Sequence, residues 1–170
     1  MPLYCSFAGW SGSGKTTLLR EVIARLSGGG YRVGAVKATH HDLRLDTPGK
    51  DSHSLREAGA EAVVLSEPTR TTVFLPAERL EGDRLGRLLA GLQIVIGEGC
   101  SFTRGLRFEV ASGVEELSGL RRPVEELDAV VTDSAALSEA ARRRGLEVFR
   151  RNEGREIAEF IGRRYESLGR

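Results

Sequence analysis

Apolar positions along this chain come in short blocks whose period changes from block to block. Leu3-Tyr4-Cys5-Ser6-Phe7-Ala8 is a short apolar run suited to a buried strand. Thr17–Leu26 follows a glycine-rich stretch and gathers its apolar residues on one helical face. Gly28-Gly29-Gly30 stops that helix, and Tyr31–Lys37 reads as a second strand. Residues 38–56 show neither period. Ala62–Leu65 and Thr72–Leu75 are predicted short strands, with a turn at Pro68-Thr69-Arg70. Arg84–Leu92 is a predicted helix with Leu85, Leu88, Leu89 and Leu92 on one side. Gln93–Ile96, Leu106–Ala111 and Ala129–Thr132 read as strands, Ala135–Arg144 as a helix, Glu147–Phe149 as a strand and Ile157–Leu168 as a terminal helix. Strands alternating with helices predict an α/β fold with a mainly parallel sheet. No repeat, low-complexity tract or linker divides the chain, so a single domain over 1–170 is expected.

Composition narrows the class. Hydrophobic residues make up 40% and charged residues 29%, with a net charge of +1. No long-range field therefore favours nucleic acid or a membrane surface. Arginine clusters at 121–122, 142–144, 150–151 and 163–164 are interspersed with glutamates, the pattern of solvated helix faces. No apolar run approaches the roughly 20 residues of a membrane span. The first strand is predicted to begin by residue 3, so no signal peptide is expected. Cys5 and Cys100 are far apart and outside any C-x-x-C pattern, so a cytoplasmic, disulfide-free protein is expected.

The chemistry is concentrated at Gly9-Trp10-Ser11-Gly12-Ser13-Gly14-Lys15-Thr16, which has the G-x-x-x-x-G-K-[ST] spacing of a phosphate-binding P-loop. A strand precedes it and a helix follows, starting with Thr17. The glycines let successive N–H groups converge on a phosphate, and the helix N-terminus adds partial positive charge. Lys15 is expected at the β- and γ-phosphates, and the Thr16 hydroxyl on Mg²⁺. The fold expected is thus the three-layer P-loop NTPase, with a nucleoside triphosphate as ligand.

In such sheets ligands bind at the carboxyl ends of the strands. That rule nominates Gly9–Thr16, Lys37–His41, Gly97–Cys100 and Asp133. Residues 37–53 hold all three histidines and two of the three lysines, Lys37 and Lys50. A polar, aperiodic stretch of that length is either functional or a mobile surface loop. His40, His41, Lys37, Lys50 and Asp51 are candidates for phosphate or substrate contact. Adjacent histidines rarely share one ion, so zinc is disfavoured, and His53 reads as an ordinary polar residue. Glu98, between glycines at the end of an apolar strand, is the candidate for the Mg²⁺ shell or the attacking water. Asp42, Asp46 and Asp51 compete with it, Asp42 foremost as a further catalytic candidate. Asp133 follows a buried strand. It either accepts from the N1–H and N2–H₂ of guanine or caps the helix starting near Ser134.

Together, Gly-Trp-Ser-Gly-Ser-Gly-Lys-Thr-Thr, Val-Lys-Ala-Thr-His-His-Asp, Asp-Thr-Pro-Gly-Lys-Asp-Ser, Ala-Gly-Ala and Gly-Glu-Gly resemble the MobB family of molybdopterin-guanine dinucleotide biosynthesis adaptors, in order over roughly residues 3–135. The resemblance implies a GTP-binding homodimer with weak GTPase activity. It also implies a MobA-type guanylyltransferase as partner, with GMP attached to molybdopterin. Two departures stand out. The Pro-Lys pair that usually precedes the strand after Glu98 is missing, and position 10 is Trp where some dimeric relatives carry Lys. Two other readings stay open on the residues alone: a small-molecule kinase, for which Arg44 and Arg56 could serve a lid, and a non-catalytic module that binds nucleotide to dock a partner. No arginine finger or water-positioning Gln is identifiable, so hydrolysis is expected to be slow.

Overall fold

The computed structural model describes residues 1–39, 49, 51–75 and 83–169. The chain divides into two compact units, one of 1–39 with 91–170 and the other of 40–90.

The first unit is built on a six-stranded sheet. Its strands are β1 (Leu3–Ala8), β2 (Val33–Lys37), β5 (Ile94–Glu98), β6 (Leu106–Ala111), β7 (Ala129–Thr132) and β8 (Glu147–Phe149). Their order is β2-β5-β1-β6-β7-β8, and every neighbouring pair is parallel. Strands covered on both faces must be apolar at successive positions, and β1, β5 and β7 are. Cys5, Phe7, Ile94, Val95, Ala129, Val130 and Val131 are all fully buried.

Helices α1 (Lys15–Gly28) and α5 (Gly154–Ser167) share one core with the sheet. There α1 contributes Leu18, Leu19, Val22 and Leu26, and α5 contributes Ile157, Phe160 and Ile161. Phe7 and Phe108 stack at 4.3 Å, and Phe160 meets Phe108 edge-on at 6.1 Å. Helix α4 (Ala135–Arg143) packs Leu137 and Ala141 into a separate core with Val130, Leu120 and Leu127. Helices therefore cover both faces, giving the three layers and parallel sheet expected.

The second unit contains α2 (Asp51–Glu57), an antiparallel hairpin of β3 (Val63–Glu67) and β4 (Arg70–Phe74), and α3 (Asp83–Leu88). Helix α2 corrects the aperiodic reading of 38–56. Its buried residue is Ser52 and its Leu55 is exposed, so no apolar stripe marks it in the sequence. Helix α5 begins at Gly154 rather than Ile157, since its first turn is polar apart from the buried Gly154.

Candidate functional site

The P-loop connects β1, at the centre of the sheet, to α1. Gly9 has φ 140°, and a Cβ there would lie 2.2 Å from the Val110 carbonyl oxygen on β6. Only glycine lets the chain leave β1 this close to the neighbouring strand. Ser13 N–H closes a turn onto Trp10 O at 3.2 Å. Gly14, left-handed at φ 88°, leads into α1. No side chain caps α1 and its first turn holds no acidic residue. Its first amide N–H groups are thus left for an anionic ligand.

Lys15 curls back over the loop. Its Nζ donates to Gly9 O at 2.9 Å, Trp10 O at 2.7 Å and Ser13 Oγ at 3.2 Å. Burial pushes its ammonium below the ordinary lysine range; Glu98 opposes that shift, while the Arg121 and Lys37 cations add to it.

Glu98 ends β5 beside β1, in register with Phe7 on one side and Lys37 on the other. Thr16 Oγ1 donates to its carboxylate, 3.0 and 3.1 Å from the two oxygens. Lys37 Nζ lies 3.5 Å from Glu98 Oε1. A hydroxyl and a carboxylate in contact form a hard-oxygen donor set, the chemistry that suits Mg²⁺. The parallel pairing of three strands thus brings Thr16, Glu98 and Lys37 together. Ser11, Gly12 and Thr17 are exposed on or just after the loop, and Ser13 is buried in it. Trp10 is exposed, yet its indole Nε1–H donates to Gly119 O at 3.1 Å.

Asp133 follows β7, and its alternative role as a helix cap is corrected. Ser134 caps α4: it is extended (φ −72°, ψ 123°), and its Oγ accepts from Leu137 N–H at 3.1 Å. Asp133 instead pairs with Arg151, whose Nε lies 2.6 Å from Oδ2 and whose backbone N lies 3.2 Å from Oδ1. Arg151 Nη1 also donates to Ser112 Oγ at 3.2 Å. The hydrogen bond from the Arg151 side chain, helped by its backbone N–H, holds the Asp133 carboxyl below the usual aspartate range. Asp133, Arg150, Arg151 and Asn152 line an open cleft of about 590 Å³. A carboxylate has about four lone-pair sites, so two remain for a ligand there.

Asp51 opens α2 in the second unit. His40, His41, Asp42, Asp46 and Lys50 lie outside the described residues.

Sequence reasoning missed Glu109. It sits in β6 opposite Ala8, is 1% exposed, and accepts the Arg121 backbone N–H at 2.7 Å through Oε1. Its Oε2 is buried with no hydrogen-bond partner. The available signal was an acid inside the apolar run Leu106–Ala111. Burial pushes its carboxyl above the usual range, opposed by the Arg121 N–H and by the Arg122, Arg121 and Lys15 cations. In the unfolded chain it titrates in the ordinary glutamate range. Just above that range the folded protein holds a proton that the unfolded chain has lost, so this group's contribution to stability falls as pH rises. Melting curves of wild type and Glu109→Gln are expected to diverge in the variant's favour as pH rises from about 4 towards neutrality. Parallel curves would refute the shift.

Comparison with known proteins fits this geometry. The MobB family profile, described as molybdopterin guanine dinucleotide synthesis protein B, matches residues 4–133. A molybdopterin-guanine dinucleotide biosynthesis adapter protein of Escherichia coli strain K12 is 51% identical over 65 residues, covering 38% of this chain and 37% of that protein. The adapter protein of that name from Haemophilus influenzae is 43% identical over 66 residues, covering 39% of this chain and 37% of its own length. The matched stretch thus spans little more than a third of these relatives. A crystal structure of molybdopterin-guanine biosynthesis protein B superposes with a TM-score of 0.72 at 31% identity, covering 96% of this chain and 99% of that one. Bacillus subtilis MobB shares the fold, with a TM-score of 0.73 at 20% identity over 95% of this chain and 96% of its own. The family match begins in β1, takes in the P-loop, Glu98 and Glu109, and ends at Asp133, and the chain belongs to the MobB family.

Proposed function

We propose that this chain is a GTP-binding adaptor that hydrolyses GTP slowly and assists the attachment of GMP to molybdopterin. The observation that carries the reading is the contact of Thr16 with Glu98 beside a P-loop whose lysine is folded over it. Gly9–Thr16 cradle the phosphates through backbone N–H groups, and Lys15 leaves the loop carbonyls for phosphate oxygens. Thr16 and Glu98 would hold Mg²⁺, which neutralises charge on the phosphates when bound. Lys37 keeps a compact cation beside Glu98. Asp42, His40, His41, Lys50 and Asp51 remain proposed contacts to the γ-phosphate or to molybdopterin. The partner is proposed to be a guanylyltransferase of the MobA type, and the working form a homodimer.

Titration calorimetry with GTP, ATP and molybdopterin in turn, with and without Mg²⁺, tests this. The reading expects Mg²⁺-dependent GTP binding that is tighter than ATP binding. Failure to bind either nucleotide would remove it.

Guanine recognition is assigned to Asp133, since the cleft it lines sits at the carboxyl end of the sheet. Its carboxylate accepts from guanine and repels the adenine N1 lone pair. Asp133→Asn is therefore expected to lower the ratio of GTP to ATP affinity by roughly tenfold. Equal binding of ATP and GTP by the wild type would take Asp133 out of the site.

A further inference from the structure

Residues 119–122, between β6 and β7, are fastened to the P-loop region at three points. Trp10 Nε1–H on the loop donates to Gly119 O at 3.1 Å. The Arg121 backbone N–H donates to Glu109 Oε1 at 2.7 Å, and Glu109 sits across from Ala8, the last residue before the loop. Arg122 Nη2 donates to Ser101 Oγ at 2.7 Å and to Cys100 O at 3.3 Å, in the turn after Glu98. The segment therefore bridges the loop that would cradle phosphate and the turn beyond the carboxylate that would serve the metal.

Glu109 is an expensive way to hold one backbone N–H. Its carboxyl is almost fully buried, and one oxygen has no partner. A buried carboxyl left half-satisfied costs free energy unless its position serves something else. What it fixes is Arg121. That side chain is exposed, and its guanidinium makes no hydrogen bond or ion pair among the described residues. It stands close enough to Lys15 to disfavour the lysine's charge. Glu98 and Glu109 offset part of the Lys15 charge, yet the Arg121 guanidinium beside it holds no hydrogen-bonded anion among the described residues, and a phosphate chain would answer both cations.

We infer that Arg121 is a second phosphate-binding cation of the nucleotide site, supplied within the same chain by the β6–β7 segment and positioned by the buried carboxyl of Glu109. The inference rests on the proposed P-loop reading and adds a ligand-contacting residue to it. The guanidinium offers planar, paired N–H donors that grip two phosphate oxygens, where Lys15 offers a point charge. Arg121 would contact the phosphates, whereas Glu109 acts through the Arg121 backbone and is a positioning residue.

The test is calorimetry with GTP–Mg²⁺ and with inorganic tripolyphosphate on the full chain. The variants are Lys15→Ala, Arg121→Ala, Arg121→Lys, Glu109→Ala, Glu109→Gln and, as a charge control, Arg144→Ala at the far end of α4. Arg121→Ala should weaken both ligands by about tenfold, with Arg121→Lys regaining part of the loss. Glu109→Ala should match Arg121→Ala, while Glu109→Gln, which keeps an acceptor for the Arg121 N–H, should recover to within about threefold of wild type. Arg144→Ala should bind as wild type does. Wild-type affinity in Arg121→Ala, with binding lost in Lys15→Ala, would overturn the inference and leave the P-loop reading standing. No binding of either ligand by the wild type would overturn the P-loop reading itself. A Glu109→Gln variant as weak as Glu109→Ala would remove the positioning role.

Discussion

Lys15→Ala is expected to lose GTP affinity by about 100-fold or more, roughly 3 kcal/mol, with little change in melting temperature. The loss follows from what the ammonium does in each state. In the free protein it donates to Gly9 O, Trp10 O and Ser13 Oγ. The lysine is itself only half-buried, so water can replace it at the exposed Trp10 carbonyl. Removing it also relieves the burial of an ammonium and, secondarily, its repulsion by Arg121 and Lys37, which together hold its proton affinity down. With ligand bound, those three donors would turn to phosphate oxygens, and water is a poor substitute against several negative charges. Calorimetry checks the affinity and a thermal melt checks the fold. Wild-type GTP affinity in this variant would sink the nucleotide assignment.

The second large effect is on stability. Gly9→Ala is expected to cost about 3–4 kcal/mol and to lower the melting temperature by roughly 10 °C. Two penalties act together. At φ 140° the backbone conformation is one that side-chain-bearing residues rarely adopt. The new Cβ would also sit 2.2 Å from the Val110 carbonyl oxygen, which is strand backbone and cannot step aside. Relief requires parting β1 from β6, and that pair carries the stacked Phe7 and Phe108 rings at the centre of the core. Gly12→Ala is the contrast: no atom lies within 4 Å of its added Cβ, so only the φ penalty remains. A melt showing Gly9→Ala no less stable than Gly12→Ala would refute the close approach.

Much of this protein was written locally in its sequence. The P-loop spacing, the strand before it and the amphipathic helix after it determine their own geometry, because turns, caps and apolar periods act over a few residues. The alternation of apolar strands with helices was enough to assign the parallel sheet, since a strand covered on both faces must be apolar throughout. The place of Glu98 at the carboxyl end of a buried strand was legible from the apolar run before it, while its contact with Thr16 was not. Helix α2 was not legible, because its Leu55 is exposed and no stripe of apolar residues reports it.

Tertiary structure alone decided the rest. The strand order places β1 between β5 and β6, so Glu98 and Glu109, eleven residues apart in the chain, come to flank one loop. It also brought Arg151 onto Asp133 and left the cap of α4 to Ser134, a choice open when only the local residues were read. Arg121 looked like one of several solvated arginines. Its meaning depends on a backbone bond to a buried acid on another strand, and no local pattern encodes a contact that only the packed sheet creates.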